Sequence, residues 1–246
     1  MKNYKVILAY DGGRYNGWQK QGNTENTIQA RLERIVSEIA GAETEVFGSG
    51  RTDAGTHATG QAANFHIDWQ GTPEELLSTL NSRLPEDIAG LSIAEVPPRF
   101  HSRLNAKAKT YVYTIWNSEQ PPVFLRKYAF WCKKPLDREK MEEAAKAFLG
   151  EHDFKAFCAN KRMKKTTVRR IDAIRFLYDG EKTEIHFTGN GFLYQMVRIL
   201  TGTLIEVGEG RRQPEDMTAV LQAESREAAG FTAPSHGLCL REVYYH

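Results

Sequence analysis

The sequence predicts an α+β fold in two similar halves, each an antiparallel sheet flanked by helices. Three observations lead there. Strand-like runs and helix-like runs are interspersed in both halves, and each half sets a helix soon after its first strand. The strand runs favour hairpins over strict βαβ alternation, which points to antiparallel pairing. Pro97-Pro98 is the best candidate boundary, and no flexible linker follows it. The halves 1–98 and 99–246 are therefore expected to pack closely and to leave a cleft between them.

In the first half, Lys5–Tyr10 reads as a strand. Asn26–Ile39 reads as an amphipathic helix, with Ile28, Leu32, Ile35, Val36 and Ile39 on one face and Asn26 with Gln29 as a capping pair. Gln61–Ile67 is a strand. Thr72-Pro-Glu-Glu75 starts a helix, with Thr72 as cap, Pro73 at the first position and Glu75 reaching back, and this helix runs to about Leu84. Leu91–Val96 is a short strand.

In the second half, Lys107–Asn117 alternates as a long strand, with Tyr111, Tyr113 and Ile115 on one face. Asp137–Leu149 is a helix capped by Asp137 and stopped by Gly150. Ile171–Tyr178 and Thr183–Thr188 flank the turn Asp179-Gly180-Glu181-Lys182, a hairpin signal. Phe192–Val207 is an apolar helix ended by Gly208. Pro214–Leu221 starts a short helix, and Gly237–Tyr245 is a final strand.

With 41% hydrophobic and 26% charged residues, the chain has an ordinary globular balance. No uncharged apolar run approaches the roughly 18 residues that span a bilayer, so no membrane association is expected. Cys132, Cys158 and Cys239 are odd in number and far apart, which indicates neither a disulfide framework nor a zinc site and suits a cytoplasmic protein. The net charge of +2 hides an asymmetry: residues 99–175 hold 19 Lys/Arg against 8 Asp/Glu, and the rest holds 14 against 23. A basic middle suits a polyanionic partner on one face; locally paired, solvated charges would give the same count.

The densest chemistry is Gly48-Ser-Gly-Arg-Thr-Asp-Ala-Gly-Thr-His57, followed by Gly60-Gln61. Glycines at 48, 50, 55 and 60 permit positive φ or close approach to a ligand. Arg51 and Asp53 add a cation and a carboxylate two residues apart. Asp53 is a candidate nucleophile or acid/base, or else an Asx-turn residue bonding its own backbone. A nearby cation orients a carboxylate and favours its ionised form. His57 and His66 with Asp53 form an incomplete metal set of unfamiliar spacing. Gly48-x-Gly50 lacks the endings of a P-loop or a dinucleotide fingerprint, so no nucleotide cofactor is expected.

Tyr111 and Tyr113 are suited either to stacking on bases or to a core. Arg198 sits inside the apolar run 192–200; an interior arginine there requires a carboxylate, the alternative being exposure on a narrow polar stripe with positions 194 and 201. Lys161, Arg162, Lys164, Lys165, Arg169 and Arg170 place six basic residues in the window 160–170 with no acid, a pattern suited to RNA phosphate contacts or to a solvated loop.

Taken together these residues resemble the tRNA pseudouridine synthase A family over nearly the whole chain. Tyr10-Asp-Gly-Gly-Arg-Tyr-Asn-Gly-Trp-Gln19 resembles its opening motif, and Gly48–His57 its catalytic loop. Lys109-Thr-Tyr-Val-Tyr113 resembles its tyrosine strand, Gly191-Phe192 through Arg198 and Gly202 its arginine helix, and Ala233-Pro-Ser-His-Gly-Leu238 its closing motif. Ser49 and Thr56 stand where smaller or apolar residues are usual, Ser235 where a second proline is common, and Gln195 where histidine is frequent.

The resemblance implies a pseudouridine-synthase-like fold and the isomerisation of uridine to pseudouridine, which needs no cofactor. It makes Asp53 the catalytic aspartate, Arg198 its charge partner, Tyr111 the tyrosine against the target base, and Arg51 the residue that helps hold the flipped nucleotide out. It also implies a homodimer that grips tRNA and modifies about positions 38 to 40 of the anticodon stem-loop by base flipping. Asp53 would either attack C1′ or take the C2′ proton. Tyr111 is one candidate to remove the C5 proton at the end.

Overall fold

The structure, a computed structural model, describes residues 1–160 and 166–246. Along the chain run β1 (Lys2–Tyr10), α1 (Ile28–Ala40), β2 (Phe47–Gly48), β3 (His57–Ile67), α2 (Pro73–Asn81), β4 (Ile88–Val96) and β5 (Ala108–Asn117). There follow β6 (Phe130–Cys132), α3 (Arg138–Lys146), β7 (Gly150–Asp153), β8 (Val168–Asp179), β9 (Lys182–Gly189), α4 (Met196–Gly208), α5 (Asp216–Gln222) and β10 (Leu238–Tyr244). Strands and helices in this proportion make the α+β fold the sequence predicts.

The elements form two compact units, Met1–Lys107 with Cys239–His246, and Ala108–Leu238. The sequence reading divides the chain at Pro97-Pro98; in the structure residues 99–107 and the last eight residues group with the first unit. Buried amides account for the first of these differences. Asn3 donates to the carbonyls of Pro97 and Phe100, while Asn64 donates to Asn3 and accepts the Ser102 N–H. The C-terminal residues are held by parallel pairing of β10 with β3, by Lys107 N–H on the Tyr244 carbonyl, and by the Tyr245 hydroxyl on Ser102.

In the first unit β1 lies antiparallel between β3 and β4, and β2 adds to β3. Period-two alternation buries Tyr4, Val6, Leu8 and Tyr10 on one face of β1. Helix α1 buries Ile28, Leu32, Ile35 and Val36, as its 3.6-residue period requires. Its cap is Thr27, whose hydroxyl accepts the Ala30 N–H, and not the Asn26–Gln29 pair. Those two amides are occupied elsewhere: Asn26 donates to the Arg14 carbonyl and Gln29 to Glu33 and Val46. Helix α2 has the predicted capping box between Thr72 and Glu75 in full, but stops at Asn81.

In the second unit β5 pairs antiparallel with β9, β9 with β8 through the predicted hairpin, and β8 with β7. Short β6 runs parallel to β5, so antiparallel pairing dominates but is not universal. Tyr113, Ile115, Ile185 and Phe187 are buried with nearly the whole of α4. Two boundaries move. Gly150, with φ of 91°, opens β7 after α3 has already ended at Lys146. The apolar run from Phe192 becomes helical only at Met196, because Gln195 holds φ of 60° in the left-handed region.

Two buried hydroxyls, Thr56 and Ser102, have no hydrogen-bond partner among the described residues. A valine at 56 keeps the shape and removes the orphan group. Thr56→Val is expected to raise urea-unfolding stability by about 1 kcal/mol. Leu8→Ala, at the fully buried centre of β1, is expected to cost about 2–5 kcal/mol in the same measurement.

Candidate active site

Asp53 lies in the connection between β2 and β3, and the main-chain bonds that flank it come from the stretch 10–19. Trp18 N–H donates to the Thr52 carbonyl at 3.0 Å, and Gly55 N–H to the Tyr15 carbonyl at 3.3 Å. Asp53's own carbonyl accepts the Thr56 N–H at 3.0 Å and closes the turn. Gly17 makes the approach possible: its φ is 87°, and a Cβ there would stand 2.6 Å from the Thr52 carbonyl oxygen. The same stretch faces α1 on its other edge, where Gly17 and Trp18 carbonyls accept the N–H groups of Ile28 and Gln29. Asp53 is therefore held half-buried on a loop tied to a helix N-terminus.

Buried side chains complete the clamp. Tyr10 Oη lies 2.8 Å from Thr52 Oγ1, and burial pushes its phenol well above the ordinary value, so it stays a neutral hydroxyl. Gln61 Nε2 donates to the Gly50 carbonyl at 2.9 Å and Gln61 Oε1 accepts Ser49 Oγ at 2.7 Å. Ser49 is thus a structural hydroxyl. Of the four loop glycines, Gly55 takes positive φ, while Gly48 and Gly60 allow close approach to Trp18 and to the Arg241 carbonyl.

Arg51 projects from this loop. Its side chain is exposed, and its Nε donates to Gln19 Oε1 at 3.0 Å. His57 closes the loop, with Nδ1 3.1 Å from the Gly12 N–H and 3.0 Å from Asp11 Oδ1. His66 instead lies 3.2 Å from the Pro98 carbonyl. Among the described residues no three His, Cys, Asp or Glu side chains gather as a metal site.

Tyr111 and Arg198 belong to the second unit. Tyr111, on β5 opposite Phe187, is buried and meets Phe192 edge-on at 5.3 Å. Tyr113, the other sequence candidate for stacking, is core: it is fully buried and its hydroxyl donates to the Pro234 carbonyl at 2.8 Å. Arg198, in the first turn of α4, is half-buried; its Nε donates to the Ala233 carbonyl at 2.7 Å, and its own carbonyl accepts the Ala233 N–H. The closing motif Ala233–Leu238 is therefore the mount for Arg198. Gly202 lets this strap lie close, since a Cβ there would meet the Phe231 carbonyl at 1.9 Å.

Of the six basic residues suggested for phosphate contacts, Lys161, Arg162, Lys164 and Lys165 lie outside the described residues. Arg169 is folded onto its own strand, donating to the Thr166 and Val168 carbonyls, and burial holds its guanidinium below the usual value. Arg170 Nε lies 2.7 Å from Asp172.

Sequence reasoning marks the stretch 10–19 as a motif but assigns it no role. Gln19, Tyr10 and Gly17 are the residues it misses, while Gln61, singled out beside the loop, is given no role. The available signal is the density of aromatic, amide and glycine residues right after a first strand.

The profile of the tRNA pseudouridine synthase family matches residues 6–105 and 144–246. The chain is 47% identical over 245 residues to tRNA pseudouridine synthase A of Bacillus sp. (strain KSM-64), covering 100% of both chains. It is 44% identical to tRNA pseudouridine synthase A 2 of Bacillus anthracis and 44% to that of Clostridium perfringens (strain 13 / Type A), each over 245 residues and 100% of both chains. A chain of the Cbf5-Nop10-Gar1 complex aligns over 96% of this chain and 48% of its own, at 12% identity and a TM-score of 0.40. With the family profile spanning most of the chain and full-length relatives above 40% identity, the chain belongs to the tRNA pseudouridine synthase family and is an isomerase.

Proposed function

We propose that this isomerase acts on uridines of the tRNA anticodon stem-loop, at about positions 38 to 40, taking each target base out of the stack to reach its sugar. The reaction moves the uracil. The N1–C1′ bond breaks, C5 bonds to C1′, the C5 proton leaves, and N1 takes a proton, so the formula is unchanged. A carboxylate is the one group this needs near the ribose, and Asp53 is our candidate. The observation that carries the reading is the clamped loop around Asp53, whose main chain is bonded on both sides of the residue. Fixed geometry is what makes a single carboxylate effective.

The other roles follow the resemblance. Arg198 is the charge partner of the aspartate, a role its rigid mount on Ala233 suits. Tyr111 covers the flipped base, and Arg51, exposed beside Asp53 in sequence, helps hold the nucleotide out. Lys161, Arg162, Lys164, Lys165, Arg169 and Arg170 contact phosphates, and a homodimer in the cytoplasm grips one tRNA. Asp53 either attacks C1′, giving a covalent sugar adduct, or takes the C2′ proton, giving a glycal-like intermediate.

Loss of the C5 proton gives the assay, since tritium placed at C5 of tRNA uridines is released in proportion to turnover. Asp53→Asn is expected to reduce release by roughly 10²–10⁴-fold while tRNA binding persists. Release near the parent rate would remove Asp53 from the chemistry. In cells lacking the protein, pseudouridine mapping should show losses at positions 38 to 40 and not elsewhere.

The charge interpretation has its own test. Replacing Lys164 and Lys165 with alanine should weaken tRNA binding and reduce the slope of log K against log salt by about one for each phosphate left without its lysine. An unaltered slope would mean these lysines face away from the RNA.

A further inference from the structure

The exposed guanidinium of Arg51 is the outer end of a hydrogen-bonded chain that begins on α1. Arg51 Nε donates to Gln19 Oε1 at 3.0 Å, and Gln19 Nε2 donates to Gln29 Oε1 at 2.6 Å. Gln29 Nε2 donates in turn to Glu33 Oε1 at 3.0 Å and to the Val46 carbonyl at 3.1 Å. Glu33, largely buried, also lies 3.1 Å from Lys20 Nζ.

A glutamine amide can be turned either way, so such a chain has direction only if something fixes it. Here the backbone fixes it at Gln29. The Lys20 N–H, which can only donate, points at Gln29 Oε1 at 2.9 Å. The Val46 carbonyl, which can only accept, faces Gln29 Nε2. Gln29 must therefore present oxygen to Gln19, Gln19 must answer with its nitrogen, and its oxygen is left for Arg51. Turning Gln19 over would set two oxygens together at Gln29 and an NH₂ group against a guanidinium N–H.

We propose that Gln19 is a positioning residue for Arg51, with its polarity set from α1 by Gln29, so that the guanidinium of an exposed side chain is aimed before RNA arrives. An arginine loses a large rotamer entropy when it is fixed. A preset Nε contact removes part of that cost from the step in which the nucleotide is held out. The functional half of this inference rests on the proposed role of Arg51; the structural half does not.

The two halves are separated by two measurements on the full-length protein. In the first, the ¹⁵Nε–H signal of Arg51 in the free enzyme is assigned by its loss in Arg51→Lys. It should shift in Gln19→Leu and also in Gln29→Leu, which does not touch Arg51. A signal unmoved by either replacement overturns the chain of bonds whatever the chemistry; should Gln29→Leu fail to fold, Gln19→Leu alone decides. In the second, single-turnover tritium release should fall about tenfold in Gln19→Leu, as expected for a lost bond to a charged group. The same replacement should have no further effect in an Arg51→Ala background. An equal loss in both backgrounds would show that Gln19 acts without Arg51 and overturn the positioning role. Parent-like turnover in Arg51→Ala would instead overturn the proposed role of Arg51, with the signal shifts still reporting on the chain of bonds.

Discussion

A connection that carries the carboxylate we propose to be catalytic has to be rigid, and connections between strands are ordinarily the mobile part of a fold. The main-chain clamp between residues 15–18 and 52–55 meets that constraint, and much of the first unit is arranged around it. Two backbone bonds flank Asp53, and Gly17 admits the approach because no other residue tolerates both its φ of 87° and its distance from Thr52. The stretch that supplies the clamp is itself bonded to the first turn of α1. Helix α1 is fixed by four apolar side chains in the core. Burial on one face of a helix is thereby converted into a fixed position for a polar loop.

Arg198 in the second unit is mounted by the same kind of device, with buried polar groups in place of a glycine turn. Helix α4 is almost wholly apolar, yet Thr203 and Glu206 lie buried along it. Thr203 Oγ1 accepts the Gly230 N–H, and Glu206 accepts the Phe231 N–H and pairs with Arg212 at 2.6 Å. Farther along, Tyr113 accommodates Gly237 against its ring and bonds the Pro234 carbonyl. The strap 228–237 is thus tied at both ends, and Ala233 between them grips Arg198 from two atoms. An unpaired Glu206 or Thr203 inside a helix of this kind would cost the protein stability. Bonded to the strap, they fix its register.

What can be read in the sequence depends on whether the deciding interactions are local. The capping box at Thr72 and the hairpin at Gly180 need only a few consecutive residues, and both are present as expected. The start of α1 misleads a linear reading because Asn26 and Gln29 look like a local pair but are bonded to partners 12 and 17 residues away. Strands β2 and β6, of two and three residues, exist through their neighbours and have no period of their own to detect. At the site, the resemblance singles out Asp53, Arg51, Tyr111 and Arg198, but nothing in a linear reading shows why Gln19 differs from any other surface glutamine. Its role appears only when β1's exit, α1 and the 48–57 loop are placed together.

The far side of the loop depends on the other end of the chain. Residues 57 and 58, where the loop becomes β3, pair in parallel with Cys239 and Leu240, and Gly60 lies so near the Arg241 carbonyl that a Cβ would stand 2.1 Å from it. The loop is therefore gripped by residues 10–18 before it and by residues 239–241 after it. The first grip closes early, within some forty residues. The second joins positions about 180 apart in sequence and carries the higher entropic cost of loop closure. Completion of the 48–57 loop is thus coupled to the last strand, and a chain still missing that strand has Asp53 but only half of what holds it still.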